Sequence, residues 1–299
     1  MYSRRADNGF FIPCEGTDQC RPVLVELGGK SVVVVDTPGF DDGNRSDAEI
    51  LTEIARVLTA QHQLGVRLRG VIYMHRITDV RYGGYAVKTF EILKRICGDA
   101  SLRNVMLVTS MWSQIDEKTG SRRETELRKN YWPYMLDRGS SMNRFYGHRH
   151  SAIAVVSQLL TKVPVVLSMQ LELLNNGNRL ENTAVWAYLR ERLEALKQKH
   201  QETIRKLETL IRQGFGGDSS HRREVENDVA KEKDQLLRAE QLQAALDRPI
   251  EVNVDGEISR GLRMRQILRA SAPYIVPVAS VVFNILCAII GIPLPIPLG

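Results

Sequence analysis

Short apolar runs separated by longer mixed stretches dominate the chain from residue 23 to about residue 170. Val23–Leu27, Ser31–Asp36, Gly70–His75, Asn104–Ser110 and Ala152–Ser157 each have the length and apolar content of a strand. Between them, Asp47–Leu58 and Tyr85–Cys97 carry apolar residues at helical spacing: Ile50, Leu51, Ile54, Val57 and Leu58, then Val87, Phe90, Ile92, Leu93 and Ile96. Val32–Val35 and Val105–Val108 are apolar at every position, as strands are when both faces of their sheet are covered. The alternation predicts an α/β fold with a doubly wound, mostly parallel sheet. Gly28-Gly29 joins the first two runs and predicts a tight hairpin, hence an antiparallel pair at the sheet edge.

The texture changes twice more. Residues 1–22 are polar and without period, apart from Phe10-Phe11-Ile12, which is long enough only for a short alternative strand. Residues 23–180 form the α/β unit. From 181 to 250 the chain is charge-dense and helical, with Trp186, Leu189, Leu193, Leu196, Ile204, Leu207 and Ile211 at spacings of three and four. Gly214-Phe215-Gly216-Gly217 interrupts this pattern before a second helical stretch bearing Val225, Val229, Leu236, Leu242 and Leu246. Two helices around a glycine-rich turn fit an antiparallel hairpin as well as a dimeric coiled coil. A hydrophobic C-terminal segment, 266–299, follows, and from Ala270 onward it carries no charge.

Composition narrows the classes. The 299 residues include 41 Lys and Arg against 35 Asp and Glu, a formal charge of +6. The excess is dispersed among acidic residues, so no nucleic-acid partner is expected, since such binders concentrate their basic residues on one face. The four cysteines form no CxxC pair, and Met1 is followed by Arg4, Arg5 and Asp7 rather than an apolar leader, so reduced thiols in the cytoplasm are expected. No HExxH, nucleophilic triad or cysteine–histidine cluster appears.

The stretch richest in chemistry is Val32-Val33-Val34-Val35-Asp36-Thr37-Pro38-Gly39-Phe40-Asp41-Asp42. An aspartate at the carboxyl end of a buried strand sits where open α/β sheets bind ligands, and there it can hold a Mg²⁺-bound water. A glycine three residues on lets a backbone N–H approach a terminal phosphate closely. Three further segments follow in order: Asn44-Arg45-Ser46-Asp47, the run Gly70–Asp79, and Asn104–Trp112 ending in Thr109-Ser110-Met111-Trp112.

Together these motifs resemble the G domains of septin-like and GIMAP-type GTPases, most of all the group whose base-recognition segment reads Thr-x-Met-Trp. The likeness covers about residues 21–185. Val165–Leu173 and Leu180–Ala184 extend it into a closing strand and helix, and a base-contact loop is expected near His148–Ala152, where Ser151-Ala152 begins a strand. The resemblance implies a P-loop NTPase-like sheet that binds GTP or GDP with Mg²⁺ and dimerises through its nucleotide face or its coiled coil. It also implies the site residues: Asp36, Thr37 and Gly39 at the phosphates, with Asp36 holding Mg²⁺ through water, and Thr109, Ser110, Met111 and Trp112 around the base. Trp112 would offer a stacking face. GTPase chemistry is implied by the likeness alone, and no catalytic residue is identified.

The chain also departs from that pattern. The phosphate loop GxxxxGK[ST] is absent; Gly29-Lys30-Ser31 only imitates its end, with Leu24 where its first glycine belongs. The family's first strand, which is central, has no counterpart upstream of Asp36, so a gap in the sheet is expected. Arg21 stands where the switch threonine is expected, and the base segment lacks a carboxylate at its fourth place, Asp116 lying four residues beyond. These departures predict weak nucleotide binding, with a non-catalytic scaffold as the other reading. His75 is expected either at the nucleotide edge or in the core. The tail has three readings: a membrane attachment through 270–299 with Arg260, Arg263, Arg265 and Arg269 on the cytoplasmic side, an interfacial anchor, or a strand packed on its own protein.

Overall fold

The computed structural model describes residues 19–40, 45–66, 68–214, 219–247 and 281–284. Phe10-Phe11-Ile12, Asp41, Asp42 and most of the tail lie outside the described residues. Among the described residues, six strands form one sheet in the order β1-β2-β6-β3-β4-β5. They are β1 (Arg21–Leu27), β2 (Lys30–Asp36), β3 (Leu68–Arg76), β4 (Val105–Ser110), β5 (Ser141–Arg144) and β6 (Val281–Asn284). β1 pairs antiparallel with β2, and every other neighbouring pair is parallel. The turn between β1 and β2 uses Gly28 at φ +56° and Gly29 at φ +72°, a pair of left-handed residues whose twist suits a two-residue hairpin.

The eight α-helices among the described residues are α1 (Asp47–Gln63), α2 (Gly84–Cys97), α3 (Glu117–Glu126), α4 (Pro133–Leu136), α5 (Arg149–Leu160), α6 (Ser168–Asn175), α7 (Ala184–Gln213) and α8 (Ser219–Leu246). Alternate strand residues serve opposite faces of the sheet. Val33, Val35, Val71, Tyr73, Val105 and Leu107 join the larger core with Ile50, Leu51 and Ile54 of α1 and Phe90, Ile92 and Leu93 of α2. Val32, Ile72, Met106 and Val108 face the other way, onto Val155 and Leu159 of α5. The protein is therefore a mixed α/β fold with apolar packing on both faces of its sheet.

Two expectations are corrected here. Ala152–Ser157 is helix, not strand, and Ser151 lies in the first turn of α5. Imidazole Nδ1 of His148 accepts the Ser151 N–H at 3.2 Å as an N-cap, and buried Ser151, Val155 and Leu159 recur every fourth residue. A short apolar run does not by itself distinguish a strand from one buried face of a helix. The second correction concerns the sheet, which has no vacant position: four residues of the C-terminal segment lie between β2 and β3. In the region 165–173, Val165 makes a single antiparallel bridge to Leu68 and Ser168 opens α6.

α7 and α8 fold back on one another. The Trp186 indole N–H donates to the Leu246 carbonyl at 3.2 Å, His200 meets Glu232 at 2.6 Å, and Lys233 pairs with Glu208 at 2.9 Å. This order, start against end, is that of an antiparallel hairpin. Its base is rooted in the main core through Val185, Trp186, Leu189 and Leu246.

Gly70 shows how tightly β3 packs on its neighbours. A methyl group there would lie 2.5 Å from the Asn104 carbonyl oxygen and 2.7 Å from a Leu159 methyl. Since backbone does not yield as a flexible side chain does, Gly70→Ala is expected to cost about 1–3 kcal/mol, read as a lowered urea midpoint. An unchanged midpoint would contradict this packing.

Candidate functional site

The carboxyl ends of the parallel strands share one edge, the edge where open α/β sheets bind ligands. The register sets their heights. Asp36 is level with Asn284, Asn284 with Ile72, and Ile72 with Met106, so Thr109 stands three residues further along. Three strand spacings across and three residues along place Asp36 and Thr109 roughly 17 Å apart on a flat-sheet reckoning.

Asp36 is half-buried at the end of β2, followed by buried Thr37 and Pro38, half-buried Gly39 and buried Phe40. This turn is tied to α1 and α2 through Lys88. The Lys88 ammonium of α2 donates to the Phe40 carbonyl at 3.3 Å and to both Asp47 carboxylate oxygens at 2.9 Å. Asp47 opens α1 behind a capping box, in which the Ser46 hydroxyl accepts the Glu49 N–H and the Glu49 carboxylate accepts the Ser46 N–H at 2.8 Å. Those bonds from Ser46 hold the Glu49 carboxyl below its usual range.

At the end of β4 the side chains turn inward. Thr109 is fully buried, and its hydroxyl accepts the Trp112 indole N–H at 3.0 Å while donating to the Asn143 carbonyl at 3.4 Å. The Ser110 hydroxyl donates to the His75 carbonyl at 3.4 Å. Met111 adopts φ +64°, a left-handed conformation that only Asn178 shares among the described non-glycine residues. That reversal folds Trp112 back beneath Thr109, leaving it 6% exposed. Arg144 of β5 lies over the indole at 3.9 Å, and Gly120 of α3 is so close that a Cβ would meet ring carbon Cζ3 at 2.7 Å. The face expected to stack on a base is thus covered, and a base could reach it only if Arg144 moved.

Arg144 is itself held. Its guanidinium donates to Glu124 at 2.6 and 3.0 Å, to Glu117 at 2.7 Å and to Ser121 at 3.1 Å. This fork is planar and bidentate, a geometry lysine could not supply, and it keeps the Glu117 carboxyl below its usual range. Asp116 caps α3 by accepting the Thr119 N–H at 2.9 Å, and that bond is the main cause of its lowered pKa. Neither Lys88 nor Arg144 stood out in the sequence, where each is one more cation in a mixed stretch.

His75 is 7% exposed, among Tyr82 and Trp132, with ring centroids at 5.3 and 6.0 Å. Burial lowers its pKa to about 4, so the imidazole is neutral at pH 7; nearby Asp79 opposes that shift and Arg76 adds to it. Burial likewise pushes the Tyr82 phenol up to about 12, against hydrogen bonds from Tyr73 and Trp132. His75, Asp79, Tyr82, Arg123 and Tyr131 line a pocket of about 20 Å³, room for one water. A more open depression of about 370 Å³ lies beside it between Thr78, Gln114, Asp116, Thr119 and Arg123. Arg123 donates to the carbonyls of Ile77 and Thr78 at 3.0 and 2.8 Å and so ties α3 to the loop after β3.

Among the described residues, no three His, Cys, Asp or Glu side chains are grouped to hold a metal ion, and no helix is long and apolar enough to cross a membrane. Comparison with protein-family models and with curated protein sequences finds no match to this chain.

Proposed function

We propose that this chain is a degenerate G-domain-like module, with a doubly wound sheet, that acts by binding other proteins. In this reading it hydrolyses GTP weakly or not at all, and its α7–α8 hairpin is the arm it presents to partners. One observation carries the proposal. Of the residues expected to read a guanine base, Thr109, Ser110 and Trp112 are buried, the Thr109 hydroxyl is occupied by the Trp112 indole N–H, and Arg144 lies over the indole. The sequence after β6, Ile285-Leu286-Cys287-Ala288-Ile289-Ile290, also offers neither the glycines nor the lysine of a phosphate cradle.

A second reading, a GTP- or GDP-binding protein with Mg²⁺ held through water by Asp36, is favoured by a separate observation. Asp36 and Thr109 lie at the same sheet edge, a span apart that suits an extended nucleoside triphosphate. Membrane attachment through 270–299 and dimerisation through the sheet edge or the hairpin are further elements of the proposal, motivated by the uncharged tail and the long helices. Equilibrium binding of fluorescent GTP to residues 1–299 with Mg²⁺ decides between the two readings. No saturable binding below about 100 μM, a free energy near −5.5 kcal/mol, is the expected result. Micromolar binding abolished by Asp36→Ala overturns it in favour of the nucleotide-binding reading.

A further inference from the structure

The sheet is built from separate blocks of chain. β1 and β2 come from residues 21–36 and β3 to β5 from residues 68–144, and the crossover through α1 leaves one strand position open between β2 and β3. Val281–Asn284 fills it, aligned with Val33–Asp36 on one side and with Leu68, Gly70, Val71 and Ile72 on the other. With strands about 4.8 Å apart, an empty position would hold β2 and β3 about 9.6 Å from each other. No direct N–H···O=C ladder spans that distance, so two rows of backbone groups at the centre of the sheet depend on β6 for their partners.

We infer that the cleft between β2 and β3 is a strand-acceptor site. Its ligand is the extended, uncharged segment around Val281–Asn284, bound in parallel, held in cis and replaceable by the same segment of a second copy. Recognition of this kind runs through main-chain hydrogen bonds, so it requires an extended strand free of charge and proline over the paired residues. Val281-Val282-Phe283-Asn284 meets both requirements. Its β-branched and aromatic residues also favour the extended state. Residues 248–280 connect it to the end of α8, a length of chain that does not dictate which copy's cleft the strand enters. The site is independent of nucleotide, so its test and the GTP titration fail separately.

The experiment has two arms on the full chain. Register sets Val34 opposite Val282, within the Cα separation a disulfide spans. The double variant Val34→Cys/Val282→Cys is expected to oxidise to a disulfide, intrachain in dilute solution and partly interchain after refolding at high concentration. Val23→Cys/Val282→Cys is the control, because Val23 lies on β1, one strand removed. The second arm is hydrogen exchange of Val282→Pro, which removes a ladder donor from a central strand. The amides of Val33–Asp36 and Leu68–Ile72 that face the cleft, alternate residues on each strand, are expected to exchange about tenfold faster or more, while those of Val105–Thr109 keep their protection. A synthetic peptide spanning residues 278–287 is expected to restore protection, and its scrambled version is not.

Failure of the Val34→Cys/Val282→Cys variant to form its disulfide above the level of the control overturns the inference. So does unchanged exchange at Val33–Asp36 in the proline variant. If the variant loses protection throughout, recovery with the native peptide alone supports the site. Failure to recover, or equal recovery with the scrambled peptide, overturns it.

Discussion

Trp186→Ala is expected to cost about 3–5 kcal/mol, a large part of the roughly 5–15 kcal/mol by which a domain of this kind is stable. The indole is fully buried at the first turn of α7, in the core shared by α2, α6 and the sheet. Its N–H donates to the Leu246 carbonyl at the far end of α8, so its removal opens a cavity and also orphans a helix-terminal acceptor. The Thr183 hydroxyl, which accepts the Trp186 backbone N–H, keeps the start of α7 capped in the variant. The loss should therefore appear first as fraying where the hairpin meets the body. Urea denaturation gives the magnitude, and faster amide exchange at the end of α8 gives the location. Leu210→Ala is the matched comparison: Leu210 is 46% exposed on the same helix, and its loss is expected to stay within about 0.5 kcal/mol. Equal effects of the two substitutions would mean that the hairpin is not rooted through Trp186. In the proposed reading, with the hairpin as the arm presented to partners, this root decides whether the arm is a rigid extension of the body or a tether.

How far the fold could be read from residues depended on how local its determinants are. The β1–β2 hairpin, α1, α2, β3 and β4 were legible because each is specified within its own segment, by Gly28-Gly29, by the Ser46–Glu49 cap or by an apolar run. β5 was not, because Ser141-Met142-Asn143-Arg144 carries no apolar alternation and owes its place to pairing with β4. α3 was silent for the related reason that its sequence, Glu117–Glu126, is polar throughout and only Gly120 is buried. The origin of the central strand was the least legible feature. The uncharged run after Ala270 satisfies lipid and sheet interior equally well as a composition, and only pairing partners far away in the chain distinguish the two.

The candidate site was legible in position and not in orientation. A strand ending in Asp-Thr-Pro-Gly and a second ending in Thr-Ser-Met-Trp reach one edge of a parallel sheet, since strand polarity alone settles that. Whether Trp112 faces outward is fixed by the left-handed Met111 and by Arg144, which arrives on a strand the sequence did not reveal. The same Arg144 fork joins β5, α3 and the indole into one unit. A base that displaced it would have to compensate for the cation–π contact and the pairing with half-buried Glu124, while the bond to exposed Glu117 adds little.

Acidification is expected to destabilise the protein through His75, and the sign follows from its environment. Burial holds the folded-state pKa at about 4 against 6.5 for the free group, so the unfolded chain takes up a proton that the folded one refuses. The neutral ring's contribution is complete above pH 6.5 and is lost progressively as the pH falls toward 4. The gap corresponds to about 3 kcal/mol once both states are titrated. Asp79 reduces the shift and Arg76 deepens it, while Arg123 and Glu126 line the same pocket. Other carboxylates titrate over part of this window, so the test is a difference between two proteins. His75→Phe keeps an aromatic ring against Tyr82 and Trp132 but removes the proton site. At pH 7 the two chains are expected to differ little. At about pH 4.5 the variant should be the more stable by about 2–3 kcal/mol relative to that difference, measured by urea unfolding at each pH. Parallel stability curves for the two proteins between pH 7 and about 4.5 would mean that His75 is solvated enough to protonate in the folded state, and the water-sized pocket beside it would then have to admit the charge.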